Sequence, residues 1–126
     1  MLNFKIENEE KYDDDHHVAN IVGQFEEGDV TVACWEPGQT SPIHAHPHLT
    51  EIYFCVKGGG KMTTDDKVVD MAPGDFVVHP RGEVHEYENG SKRSVLYRVR
   101  YGEARDFSAV RKGWRENPDT EKKDES

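Results

Sequence analysis

Along the middle of this chain, apolar runs of five to seven residues alternate with short clusters of turn residues. Val30-Thr-Val-Ala-Cys-Trp35, Glu51-Ile-Tyr-Phe-Cys-Val56, Lys67-Val-Val-Asp-Met71, Asp75-Phe-Val-Val-His79 and Ser94-Val-Leu-Tyr-Arg-Val-Arg100 are rich in β-branched and aromatic residues. Side chains that crowd the backbone at Cβ fit a pleated sheet better than a helix, so these runs predict strands. Between them stand Glu36-Pro-Gly38, Gly58-Gly-Gly60, Asp65-Asp66, Ala72-Pro-Gly74, Pro80-Arg-Gly82 and Asn89-Gly90, each able to reverse the chain. Short strands broken by frequent turns predict an all-β sandwich or barrel. One helix is expected, over 104–114, where Phe107, Val110 and Trp114 recur at spacings of three and four.

The apolar positions also bound the domain. They crowd between Val18 and Val99, whereas residues 1–17 and the last dozen are almost wholly polar. A barrel over 18–103 is therefore expected, preceded by a polar N-terminal segment (1–17) and followed by a helix and acidic tail (104–126). The sequence has 126 residues, enough for one core and too few for two. The formal net charge of −9 comes largely from acidic runs at 7–15 and 116–125. No basic stripe interleaved with aromatics is present, which argues against nucleic acid as a partner. No apolar run approaches the roughly 20 residues that span a bilayer, nor does the N-terminus resemble a signal peptide, so a cytoplasmic protein is expected. Cys34 and Cys55 lie inside separate strand-like runs and are expected as buried thiols rather than a disulfide.

Candidate chemistry concentrates between Gly38 and Asn89. His44 and His46 are two residues apart and share a face if extended. Glu51 opens the next strand, and His85 follows in Pro80-Arg-Gly-Glu-Val-His85. Three imidazoles and a carboxylate make a mixed nitrogen and oxygen set suited to first-row divalent metals. The spacing Gly38, five residues, His44-Ala-His46, four residues, Glu51, six residues, Gly58 resembles the first motif of the cupin superfamily. Gly74, five residues, Pro80-Arg-Gly82, two residues, His85, three residues, Asn89 resembles its second motif. The resemblance implies a double-stranded β-helix (jelly-roll) barrel with one divalent metal held inside by His44, His46, Glu51 and His85. Gly38, Gly58, Gly74 and Gly82 then fall at corners where positive φ or close backbone approach is expected.

Other residues follow from period-two placement. Tyr53 and Cys55 share the face of Glu51, so Tyr53 is a candidate acid or base beside the metal, or else a core aromatic; Cys55 is expected as packing. Tyr87 and Asn89 share the face of His85, and Tyr87 is a substrate-lining candidate with a structural role favoured. His48 is expected at the rim, with ligation as the alternative. His79 either lines the cavity or caps a strand end. Arg98 and Arg100 lie on one face of the last strand with Leu96; turned inward, one could clamp a substrate carboxylate. The apolar opposite face, Val95, Tyr97 and Val99, favours the outward placement. His16 and His17, beside Asp13 to Asp15, are expected in a solvated segment.

The resulting functional expectation is a metal-dependent enzyme of dioxygenase type acting on a small oxygen-rich molecule. Fe(II) is favoured, with Mn, Ni, Zn or Cu as alternatives. A non-redox isomerase or lyase and a non-catalytic binding or sensor module are the rival readings. A homodimer is expected, because Ile52, Phe54 and Val56 project opposite Glu51 and require cover.

Overall fold

The computed structural model describes residues 1–102, 108–111 and 122–123. A single helical turn, α1 (Ile6–Glu9), precedes strands β1 (Val18–Phe25), β2 (Gly28–Trp35), β3 (His44–Ala45) and β4 (Leu49–Lys57). Then come β5 (Gly60–Thr64), β6 (Val68–Met71), β7 (Phe76–His79), β8 (His85–Asn89), β9 (Ser94–Gly102), β10 (Ser108–Arg111) and β11 (Lys122–Lys123). All pairings are antiparallel. One sheet has the order β1-β2-β9-β4-β7 and the other β11-β10-β3-β8-β5-β6. The architecture is the double-stranded β-helix that the two motifs imply.

The sheets are joined by a core drawn from both. Ala33, Trp35, Tyr53, Cys55 and Leu96 from the first meet Met62, Met71 and Tyr87 from the second. Burying each large apolar side chain contributes about 1.5–3 kcal/mol, so this cluster is the main adhesive between sheets. Positive φ occurs at Gly38, Gly58, Gly74 and Gly82, as the turn chemistry predicts. Gly58 is the most constrained of them: its φ is 76°, and a Cβ there would run into the Arg93 carbonyl and Ser94. Asn89 closes the same region by donating from Nδ2 to the carbonyls of Glu36 (3.0 Å) and Lys92 (2.9 Å). Cys34 and Cys55 are buried and free. Among the described residues no helix is long and apolar enough to cross a membrane.

Three expectations need correction. Ser108–Arg111, inside the expected helix over 104–114, is a strand that pairs with β3, Val110 opposite Ala45 and Arg111 opposite His44. The free edge of β3 supplies backbone partners that outweigh the local helical spacing; 104–107 and 112–114 lie outside the described residues. Arg98 and Arg100 point inward, each only 2% exposed. The outer face opposite them is covered instead by the N-terminal segment. Ile6 and Tyr12 pack against Val32, Cys34 and Val95, and Phe4 stacks on Tyr97 at 6.1 Å. The apolar outer face thus has its cover, leaving the arginines to the interior, where Asp29, Thr31 and Glu51 receive them. His17 is not solvated either: its ring lies parallel to Trp35 at 3.9 Å.

Candidate metal centre

Three strands and one loop deliver the four predicted ligands to one end of the barrel. His44 opens β3 and is paired directly with His85, the first residue of β8. His46 follows β3, where its carbonyl accepts from the Gly82 N–H at 2.9 Å. Gly82, with φ 78°, therefore both turns the loop before His85 and ties it to the first motif. Glu51 lies on the inner face of β4, whose burial alternates along the strand. One ligand atom each from His44, His46, Glu51 and His85 lies within 4.8 Å of the others, and all four residues are buried.

Hydrogen bonds orient these rings for coordination. His44 Nδ1 lies 2.6 Å from the Pro42 carbonyl, and His85 Nδ1 3.1 Å from the Glu83 carbonyl. A carbonyl only accepts, so Nδ1 carries the proton and Nε2 keeps its lone pair. Nε2 of His44, Nε2 of His85 and Oε1 of Glu51 are buried without a hydrogen-bond partner among the described residues. Oε1 stands 3.0 Å from His85 Nε2 and 3.2 Å from His46 Nε2. Buried lone pairs converging without donors are costly unless a cation satisfies them, and nitrogen with carboxylate oxygen fits a first-row divalent ion.

The electrostatics keep the donors available. Burial, reinforced by neighbouring His85, pushes His44 down to about 3. His46 is lowered to about 4, chiefly by burial and against the pull of Glu51. Both are neutral near neutral pH. Burial works to raise Glu51, but His46, His85 and Arg98 together hold it well below the usual carboxylate range. His85 moves the other way. Burial opposes its charge, yet Glu51 raises it, so metal uptake competes with a proton at this pair.

Around this group lies a ring of polar residues that the sequence placed only in part. Tyr53 is in the interior, and its hydroxyl donates to Glu51 Oε2 at 3.4 Å. Burial and the Glu51 charge push it up to about 12, so it stays protonated and serves as a donor rather than a base. Arg98 Nη1 lies 3.9 Å from the same Oε2 and its Nη2 donates to Thr31 at 3.1 Å. Arg100 grips Asp29 with two hydrogen bonds, 3.0 and 2.7 Å, both partners buried. Asp29 and Thr31 were missed in the sequence. The alternation in Gly28-Asp-Val-Thr was their only signal, and it says nothing about which face is inside.

The other candidates divide. His79 is inside, opposite Glu51 in the β4–β7 pairing, and its ring stacks on His85 at 4.0 Å. Its Nδ1 is 2.8 Å from Glu83 Oε1, and burial together with His85 keeps it neutral by lowering it. Tyr87 sits in the core cluster, edge-on to Trp35 at 4.7 Å, and its hydroxyl donates to Asn89 Oδ1 at 2.9 Å. His48 is exposed between β3 and β4, outside the four-residue group. Cys55 packs in the core cluster.

Comparisons with known proteins agree with this geometry. The model of the cupin domain family matches residues 31–99. Quercetin 2,3-dioxygenase of Bacillus subtilis (strain 168) is 39% identical over 81 residues, 64% of this chain and 23% of that protein. Gentisate 1,2 dioxygenase 1 of Aquipseudomonas alcaligenes is 34% identical over 62 residues, 48% of this chain and 18% of that protein. The chain thus spans less than a quarter of the length of either relative. In fold it is similar to the crystal structure of TT1209 from Thermus thermophilus, with TM-score 0.77 and 20% identity, over 81% of this chain and 98% of that one.

Proposed function

Because the chain belongs to the cupin family, we propose that it is a metal-dependent enzyme of dioxygenase type, acting on a small oxygen-rich molecule at the centre formed by His44, His46, Glu51 and His85. One observation carries the reading: three imidazoles and a carboxylate converge in a buried pocket of charge, and the protons of His44 and His85 are directed away from the common point. A purely structural core would not leave such lone pairs facing one another. The similarity in sequence to two dioxygenases favours the oxygen-dependent version over an isomerase or lyase. Fe(II), when bound, supplies redox chemistry and coordination positions beyond the four protein donors.

The chain's own residues have definable parts. His44 and His46 stay neutral, so neither proton nor charge repels a cation. Glu51 would offer a metal its negative charge through Oε1, while Tyr53 and Arg98 face Oε2. The buried setting excludes bulk water and strengthens each of these interactions.

Oxygen uptake tests the proposal, with quercetin and gentisate as first probes against the Fe(II)-loaded protein. Consumption that requires Fe(II) and disappears in His85→Ala is the expected result. Turnover of the same probes under strict anaerobiosis would replace it with the non-redox reading. We also propose that a second copy of the chain covers the outer face of β4 and β7, where Phe54 pairs with Phe76 and Ile52 with Val78. Phe76 is 65% exposed. Light scattering should give a dimer; a 14.4 kDa particle would refute that part.

A further inference from the structure

Two of the four metal donors lie on or beside the shortest strand at the centre. β3 is two residues long, His44–Ala45, and His46 follows it directly. Pro42 and Pro47 bracket the segment, and neither has an N–H to give a ladder, which limits how far the pairing can spread. Glu51, by contrast, stands in a nine-residue strand, and His85 opens a five-residue one. A bound ion leaves when its ligands part from it, and detaching β3 would take two of them away together.

On one side the segment is tied to β8 and the loop before it. His44 pairs with His85, the Ser41 N–H donates to the Tyr87 carbonyl at 2.9 Å, and the Gly82 N–H donates to the His46 carbonyl at 2.9 Å. On the other side its neighbour is β10, with Val110 opposite Ala45 and Arg111 opposite His44. Without β10, β3 would be a sheet edge. β10 is backed in turn by β11, where Ser108 lies opposite Lys123 and Ala109 opposite Lys122. Lysines on that outermost strand suit an edge that recruits no further strand.

We propose that β10 is a backbone clasp on the ligand strand: by pairing with His44 and Ala45 it holds the donors His44 and His46 in place and tightens binding of the metal ion. The clasp's effect on the ion rests on the metal-centre reading; its hold on β3 does not. The second motif ends at Asn89 and the family match at residue 99, so neither covers β10. Binding free energies are reciprocal: if the clasp strengthens binding of the ion, the ion strengthens the clasp by the same factor.

The test uses the full-length protein and Zn(II), a diamagnetic probe that leaves amide exchange readable by NMR. In the wild type, Zn(II) should slow exchange of the amides that bridge β3 and β10 about tenfold, the scale one backbone hydrogen bond supports. Val110→Pro with Arg111→Pro, which cannot sustain the ladder, should weaken Zn(II) binding by the same factor in competition with a chelator. Val110→Ile with Arg111→Thr keeps a strand-forming backbone and should match the wild type. In the metal-free protein the proline pair should speed exchange in β3 and leave the Leu96 amide of β9 unchanged.

Wild-type exchange at the β3–β10 ladder that ignores Zn(II) would overturn the inference. So would undiminished affinity in the proline pair, or equal weakening in the Ile and Thr pair, which would assign the effect to side chains. The wild-type comparison needs no variant, so misfolding of the proline pair cannot shield the clasp. A wild type that takes up no divalent ion sinks the metal reading instead. The metal-free comparison then still judges the clasp, and unchanged exchange in β3 would refute it.

Discussion

Along the inner face of β9, Leu96 sits among Trp35, Tyr53, Met62 and Tyr87, while Arg98 and Arg100, two and four residues on, sit among Asp29, Thr31 and Glu51. The same strand, facing the same way, passes from an apolar half of the interior to an ionic one. The apolar half holds the sheets together and tolerates no charge. The ionic half is stabilised pair by pair, each buried charge meeting an opposite one, and contributes little net stability because desolvation offsets the attraction. The division teaches that stability and chemistry are separately located in this barrel. Mutations should therefore separate them.

The sharpest separation is expected from His85→Ala. Metal affinity should fall by more than about a hundredfold, since even the partner of a metal ligand is worth about 10–100-fold. The fold should survive, because the change removes a buried polar group and leaves the apolar half intact; metal analysis and circular dichroism read both effects. The converse is Trp35→Ala. A loss of about 3–5 kcal/mol in urea unfolding is expected, with an unchanged metal content per folded molecule. If Trp35→Ala emptied the centre while the barrel stayed folded, the two halves would not be independent.

Asp29→Ala probes the ionic half without touching a ligand. It removes the carboxylate that accepts two hydrogen bonds from the buried Arg100 guanidinium and should cost about 3–5 kcal/mol. Replacing both partners, Asp29→Leu with Arg100→Met, should recover most of it, which a merely local packing defect would not allow.

Acid should attack the ionic half first. In the metal-free protein His44 is held at about 3, and His46 and His17 at about 4, against 6.5 in the unfolded chain. Their stabilisation is complete above about 6.5 and is lost as pH falls toward 4, because the unfolded chain then takes up protons the folded one refuses. Each contributes about 1.4 kcal/mol per pH unit in that window. His85, raised by Glu51, acts in the opposite sense, stabilising below 6.5 and losing that contribution as pH rises through its folded value. His79 is lowered too, and exposed His16 is raised only at the surface, so four lowered histidines against two raised ones predict a net fall in the urea midpoint between pH 7 and 4.5. A flat profile would contradict it. The smallest effect is expected from Tyr53→Phe, which removes the donor to Glu51 Oε2. Metal affinity should drop about tenfold, with a stability change within about 1 kcal/mol.

How much of this was legible in the sequence depends on whether the information is local. The spacing of His44, His46, Glu51 and His85, the corners at Gly38, Gly58, Gly74 and Gly82, and the shared face of Glu51, Tyr53 and Cys55 all follow from backbone geometry within a few residues. Period two and the conformational freedom of glycine need no knowledge of the rest of the chain.

What only the tertiary structure decided are matters of which neighbour arrives. Arg98 and Arg100 turn inward because Asp29 and Thr31 on β2 meet them there, while Phe4, Ile6 and Tyr12 cover the other face. Ser108–Arg111 is a strand because the edge of β3 is free to pair with it. His79 stacks on His85 beside the centre because β7 lies against β4. Alternation along a strand tells two faces apart, but which of them is the inside is determined by partners distant in sequence.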